Sequence, residues 1–227
     1  MTDSFQLPLA LDYGATFIWA VSGALVAARQ KYDLVGLCGI ALVTACGGGL
    51  MRDGLFLQQG PPALVATPWY IALALIGALA VYLFGRRFYH SPRFTLVIGL
   101  ADALSLGAFA VVGMQKASAL GMSTLGVILV GLVNAVGGGV LRDILVGREP
   151  LIFKPGTLNV IAALTGCGLY VALRTWTSLE EVACASATIA LTFVVRAISV
   201  RFNIHTEAVG GFSEDRESSD KNSGLPE

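Results

Sequence analysis

Two strings, Gly47-Gly48-Gly49-Leu50-Met51-Arg52-Asp53 and Gly137-Gly138-Gly139-Val140-Leu141-Arg142-Asp143, hold the residues of this chain most able to do chemistry. They lie ninety positions apart (137 − 47 = 90), and each closes a long apolar run. Glycine weakens a helix by about 1 kcal/mol relative to alanine. An ionisable side chain at the centre of a bilayer costs roughly 2.5–3.5 kcal/mol on insertion scales. The same costly choice made twice, in register, points to one polar path through a membrane that uses both copies. Weakened helical bonding at membrane depth is tolerated only in protein or beside water. The triplets are therefore expected to bend their helices and turn carbonyl oxygens toward the path. Helix C-terminal ends favour cations there. Close helix approach at small residues is the plainer role, and the two are compatible.

The charges need partners. Adjacent helical residues point about 100° apart, so Arg52 is not expected to neutralise Asp53, nor Arg142 to neutralise Asp143. Asp12 opens the first apolar run on the side where Arg52 closes the second, and Asp102 and Arg142 repeat that relation. The expectation is an Asp12–Arg52 and an Asp102–Arg142 ion pair, structural or guarding the two mouths of the path. Thr44 and Asn134 stand three residues before each triplet and supply polar groups to the same route. Lys116 is a candidate vestibule or gate residue, although a snorkelling lysine at a span end explains it equally. Trp69 and Trp176, at segment edges, read as interfacial anchors.

Other chemistries lack their residues. Gly-Gly-Gly is followed by no Gly-Lys-Ser/Thr, so no phosphate loop is present. His90 and His205 stand alone and the four cysteines form no Cys-x-x-Cys pair, which argues against a metal site or a disulfide framework. No nucleophile–base pair appears, no cofactor is expected, and zero net charge gives no reason to expect nucleic acid. The chain reads as a non-enzyme.

The elements that position these residues follow from composition. Hydrophobic residues make up 55% of the chain, charged residues 13%, and mean hydropathy is +0.73. Soluble domains carry about 25% charged residues. Seven apolar segments of span length are readable: 9–28, 34–51, 69–84, 94–114, 122–141, 158–173 and 182–200. The first has no basic cluster before it and is expected to remain in the mature protein. Twelve of the fifteen basic residues fall on one face, in the loops after spans one, three and five and in the C-terminal region. Arg52, Lys116 and Arg174 fall on the other. Positive charge marks the cytoplasmic face, so the N-terminus is expected outside and the C-terminus inside.

The ninety-residue offset also aligns Asp12 with Asp102, Gly23 with Gly113, Gly36 with Gly126 and Ala45 with Ala135. Each copy holds three spans, an odd number, so the second enters the membrane upside down. The expected fold is all-α and integral to the membrane: seven transmembrane helices, an inverted 3+3 repeat plus a seventh helix. The expected divisions are 1–90, 91–175, 176–202 and a disordered cytoplasmic tail, 203–227, that is too polar to pack.

The doubled Gly-Gly-Gly-x-x-Arg-Asp, the Asp102-Ala103 start of span four and the string Gly113-Met114-Gln115-Lys116-Ala117 resemble the trimeric intracellular cation (TRIC) channel family. Its prokaryotic members overlap with proteins described as glycine-transporter-like. The resemblance covers about residues 9–200. It implies a homotrimer in the inner or plasma membrane, in contact with membrane lipids. Each protomer would then hold its own pore for monovalent cations, with potassium the first candidate and sodium the second. Carried over, Gly47, Gly48, Gly49, Arg52, Gly137, Gly138, Gly139 and Arg142 would lie near the path, with Asp53 and Asp143 in support. A secondary transporter of a small amino acid such as glycine, and a non-conducting membrane scaffold, are the competing expectations.

Overall fold

The structure, a computed structural model, describes residues 9–88, 92–150, 152–153 and 158–202. The expected disordered tail lies outside the described residues, as does His90. Among the described residues the architecture is helical throughout: α1 (Leu9–Arg29), α2 (Leu34–Met51), a π-helical turn (Arg52–Leu57), the single turn α3 (Ala63–Ala66), α4 (Pro68–Phe88), α5 (Pro92–Ala119), α6 (Thr124–Leu145), α7 (Asn159–Trp176) and α8 (Glu181–Arg201).

Four of these, Leu34–Leu57, Pro68–Gly85, Thr124–Leu145 and Glu181–Arg201, are long and apolar enough to cross a membrane. Of the other three long helices, α1, α5 and α7, the first two turn polar groups inward. Thr16 in α1 and Ser105 in α5 are buried and bond carbonyls one turn back, Asp12 and Ala101. Such back-bonding satisfies a hydroxyl where water is scarce.

Short turns join α1 to α2 and α5 to α6. In the first, Lys31 adopts φ 60°, and in the second Gly121 adopts φ 68°; the two are ninety residues apart. The helices that follow are capped in the same register. Asp33 Oδ1 accepts from Gly36 N at 2.8 Å, and Ser123 Oγ accepts from Gly126 N at 3.3 Å. Side-chain oxygens there satisfy amides that the first helical turn leaves unpaired. The capped helices pack back on their predecessors, α2 on α1 and α6 on α5, and α2 and α6 then pack on each other. Around this centre α4 lies against α1 and α2, while α8 lies against α5 and α7. Small buried residues, Ala20, Ala24, Ala27, Ala110 and Ala117 among them, let these helices approach closely.

Candidate functional site: two recesses at the crossing of α2 and α6

Neither glycine triplet interrupts its helix: α2 is helical through Met51 and α6 through Leu145. Both helices run unbroken through the triplets, so a bend there would not take the form of a gap in the helix. The departure from α geometry follows the first triplet, in the π turn from Arg52 to Leu57, and α6 has no counterpart to it. What the triplets do is bring two backbones together. A Cβ placed on Gly48 would run into the carbonyl oxygen of Asn134, and one on Gly138 into that of Thr44. A Cβ on Gly47 would sit 3.2 Å from the Gly138 Cα, and one on Gly137 would sit 3.2 Å from the Gly48 Cα. Helices separated only by glycine backbone gain dispersion contacts that no side chain permits. Gly49 and Gly139 point away from this contact and are only partly buried.

Thr44 and Asn134 are buried at the crossing, at 1% and 2% exposure. Thr44 donates its hydroxyl to the Ile40 carbonyl at 2.6 Å. Asn134 donates Nδ2–H to the Phe109 carbonyl at 2.6 Å, and its Oδ1 accepts from Arg52 Nη1 at 3.2 Å. The Arg52 bond crosses from the first copy to the second.

The charged residues pair differently from the expectation. Arg52 Nε contacts Asp53 Oδ1 at 2.7 Å, and Arg142 Nη2 contacts Asp143 Oδ1 at 2.8 Å. Sequence neighbours do neutralise each other here, because a guanidinium on a long flexible stem can fold back to a carboxylate that its Cβ does not face. At low dielectric the nearest anion dominates. Asp53 Oδ2 also accepts from the Ala63 amide at 3.0 Å, tying the π turn to α3. The expected Asp12–Arg52 and Asp102–Arg142 ion pairs do not form. Asp12 accepts a hydrogen bond from the Tyr70 hydroxyl instead. Asp102 has no hydrogen bond to either Arg142 or Arg196, although both act on it electrostatically.

Three recesses reach these residues. The largest, about 760 Å³, is walled by Trp19, Ser22, Thr44, Asp102, Gly139, Arg142, Asp143, Asn159 and Arg196. A small one, about 30 Å³, reaches the crossing from the Arg52 end and is walled by Asp12, Thr16, Gly49, Arg52, Tyr70, Phe109 and Asn134. Lys116 is exposed and lines a third recess with Asp53, Gln59 and Gly60, of about 300 Å³. Between the first two stand Trp19 and Phe109, one on each wall. Their ring centroids are 5.1 Å apart at an interplanar angle of 76°. This edge-to-face geometry is favourable for aromatic pairs.

Sequence reasoning overlooked Trp19, Phe109, Tyr70 and Arg196. Trp19 and Phe109 carry a readable signal, being aromatic at the same ninety-residue offset in the middle of spans. Arg196 carries another, as an arginine within an apolar run. Nothing in the sequence singles out Tyr70.

The family model described as "Glycine transporter" matches the chain twice, over residues 9–86 and 99–175. The chain belongs to this family. The two matches start ninety residues apart (99 − 9 = 90), the offset of the doubled motif. A UPF0126 membrane protein of Deinococcus radiodurans is 36% identical over 159 residues, 70% of this chain and 72% of its own. The UPF0126 inner membrane protein YadS of Escherichia coli K12 is 27% identical over 194 residues, 86% of this chain and 92% of its own. Among solved structures, a TRIC cation channel studied for its conductance superposes with a TM-score of 0.82. It is 29% identical, and the match covers 92% of this chain and all of the other. The TRIC orthologue from Rhodobacter sphaeroides gives 0.78 at 32% identity, covering 86% and 98%. The glycine-transporter family chain thus has the TRIC fold, and the resemblance read from its motifs is shown. Relatives named as membrane proteins and four span-length apolar helices make it a membrane protein.

Proposed function

We propose that the protein is a passive monovalent-cation channel, permeable to potassium, whose path runs within each subunit along the crossing of α2 and α6. One observation carries this reading. Two recesses with charged and polar residues on their walls approach the same crossing, one from the Arg142 end and one from the Arg52 end. Trp19 and Thr44 are on the wall of the first, Phe109 and Asn134 on the wall of the second. A non-conducting scaffold has no use for a 760 Å³ polar cavity reaching its most tightly packed point. The solved relatives are described as trimeric intracellular cation channels, which supports conduction over amino-acid carriage and supports a homotrimer.

On this reading the seven long helices all span the membrane. Residues 1–90 and 91–175 form an inverted pair, 176–202 the seventh helix. The N-terminus lies outside and the basic face, with the larger recess, lies in the cytoplasm. Gly47, Gly48, Gly137 and Gly138 fix the crossing, while Gly49, Gly139, Thr44 and Asn134 border the path. Arg52 and Arg142, neutralised by Asp53 and Asp143, are then no longer a full barrier to cations. Lys116 stands at the outer mouth, and the apolar outer faces meet lipid.

Purified protein in a planar bilayer under asymmetric potassium and sodium chloride tests this. Unitary currents whose reversal potential follows the cation gradients and not that of chloride are expected. Slow, saturable flux that is competed by glycine, with no unitary events, would replace the channel with a carrier.

A further inference from the structure

The two copies treat their equivalent acids differently. Asp12 is held by the Tyr70 hydroxyl. In the third helix of each copy the buried positions align eighty-nine residues apart, Ala74 with Ala163, Gly77 with Gly166 and Val81 with Tyr170. Tyr70 is thus matched by Asn159, an amide on the same cavity wall as Asp102. Helix α8, outside the repeat, adds Arg196. Asp102 and Arg196 face the same 760 Å³ cavity without a hydrogen bond between them. The Arg196 Nε and Nη1 are buried and unpartnered, as is the Asn159 Oδ1 on the same wall. These groups border the cavity and can be met there by water or an ion. Asp102, Asp143 and Glu149 are the carboxylates on the cavity wall, and Asp143 is committed to Arg142. Asp102 keeps its oxygens available.

We infer that Asp102, with the Asn159 carbonyl oxygen, is a binding position for one monovalent cation in this cavity, and that Arg196 is a tethered charge competing with that cation. The inference rests on the channel reading given above and deepens it. A single uncommitted carboxylate suits an ion of charge +1. Divalent cations take six or more oxygens, usually with several carboxylates among them, or keep a tight water shell. The guanidinium, fixed on α8 at a distance too great to bond, lowers the affinity of the acid for a cation without occupying it. It thereby favours release, as conduction needs. At the Asp12 end the Tyr70 hydroxyl takes a carboxylate oxygen instead, so the two ends differ in the acid they offer a cation.

The test is a potassium titration of the full-length protein in detergent, with choline holding ionic strength constant. Trp69→Phe and Trp176→Phe leave Trp19, on the cavity wall, as the reporter. The half-saturating potassium concentration is expected to fall about three- to tenfold in Arg196→Gln and to stay near wild type in Arg196→Lys. Asp102→Asn is expected to abolish the response. An unchanged midpoint in Arg196→Gln, or a retained response in Asp102→Asn, overturns the inference. Should Arg196→Gln yield no folded protein, Asp102→Asn decides alone. The titration needs no conduction, so wild-type protein without unitary currents defeats the channel reading and leaves this result to stand or fall by itself.

Discussion

Gly48 and Gly49 are neighbours in sequence, yet a methyl group meets opposite surroundings at each. On Gly48 it strikes the Asn134 carbonyl, a backbone atom that cannot swing aside; on Gly49 its nearest contact is Arg52 Nη2 at 3.7 Å. The same contrast holds between Gly138 and Gly139. Gly48→Ala and Gly138→Ala should therefore each destabilise the protein by about 3 kcal/mol, the upper end of overpacking costs. Gly49→Ala and Gly139→Ala should be neutral or gain up to about 1 kcal/mol of helix propensity. Thermal unfolding in detergent, followed by tryptophan fluorescence, measures all four. Equal losses at the four positions would mean that flexibility, and not close approach, is what the triplets supply. The sequence made the triplets conspicuous but could not divide the labour within them. Which glycine faces the partner helix depends on the rotation of α2 against α6, and three identical residues carry no information about that.

Helices differ in how much of themselves they disclose. The bounds of α2 were readable to the residue, 34–51, because an apolar run starts after the capping Asp33 and stops at a charge. For α5 the same rule fell short. Its apolar run ends at Met114, but the helix continues through Lys116 to Ala119, since one basic residue near a span end does not stop a helix. The π turn and α3 were illegible. Bonding to the fifth residue back has no compositional signature, and Pro61-Pro62 reads only as a loop. What holds this irregular piece is Asp53, bonded both to Arg52 and to the Ala63 amide. Arg52 is 4% exposed, so removing its counter-charge leaves an uncompensated guanidinium. Asp53→Ala is expected to cost about 3–5 kcal/mol. The double replacement Arg52→Met with Asp53→Leu should cost less than Asp53→Ala alone, because it removes the orphaned charge along with the pair. Thermal unfolding of the two variants side by side checks this. A double variant less stable than the single one would show that the π turn depends on the arginine itself, through its bond to Asn134.

At the scale of the whole molecule the two recesses are unequal, about 760 Å³ from the Arg142 end and about 30 Å³ from the Arg52 end. A repeat read from sequence alone leads one to expect matching halves. The inequality goes with what lies outside the repeat or fails to match within it: α8, the π turn, and Tyr70 against Asn159. On the channel reading, a subunit wide at one end and narrow at the other, with an aromatic pair between, is closed at that pair. Water crosses a narrow aromatic constriction poorly, and hydrophobic constrictions gate by dewetting. Accessibility then becomes directional. With the four native cysteines replaced by alanine, Ser22→Cys on the larger recess should react readily with a cationic thiol reagent added from the Arg142 side. Thr16→Cys on the smaller recess should resist from that side, because the reagent would have to pass Trp19 and Phe109. Adding Trp19→Ala to Thr16→Cys should speed its modification from that side at least tenfold. That factor corresponds to about 1.4 kcal/mol, within the range of removing one aromatic contact. If Thr16→Cys is modified as fast as Ser22→Cys while both rings are intact, the aromatic pair is not the barrier. The closed point would then lie at the Arg52–Asn134 bond or beyond it.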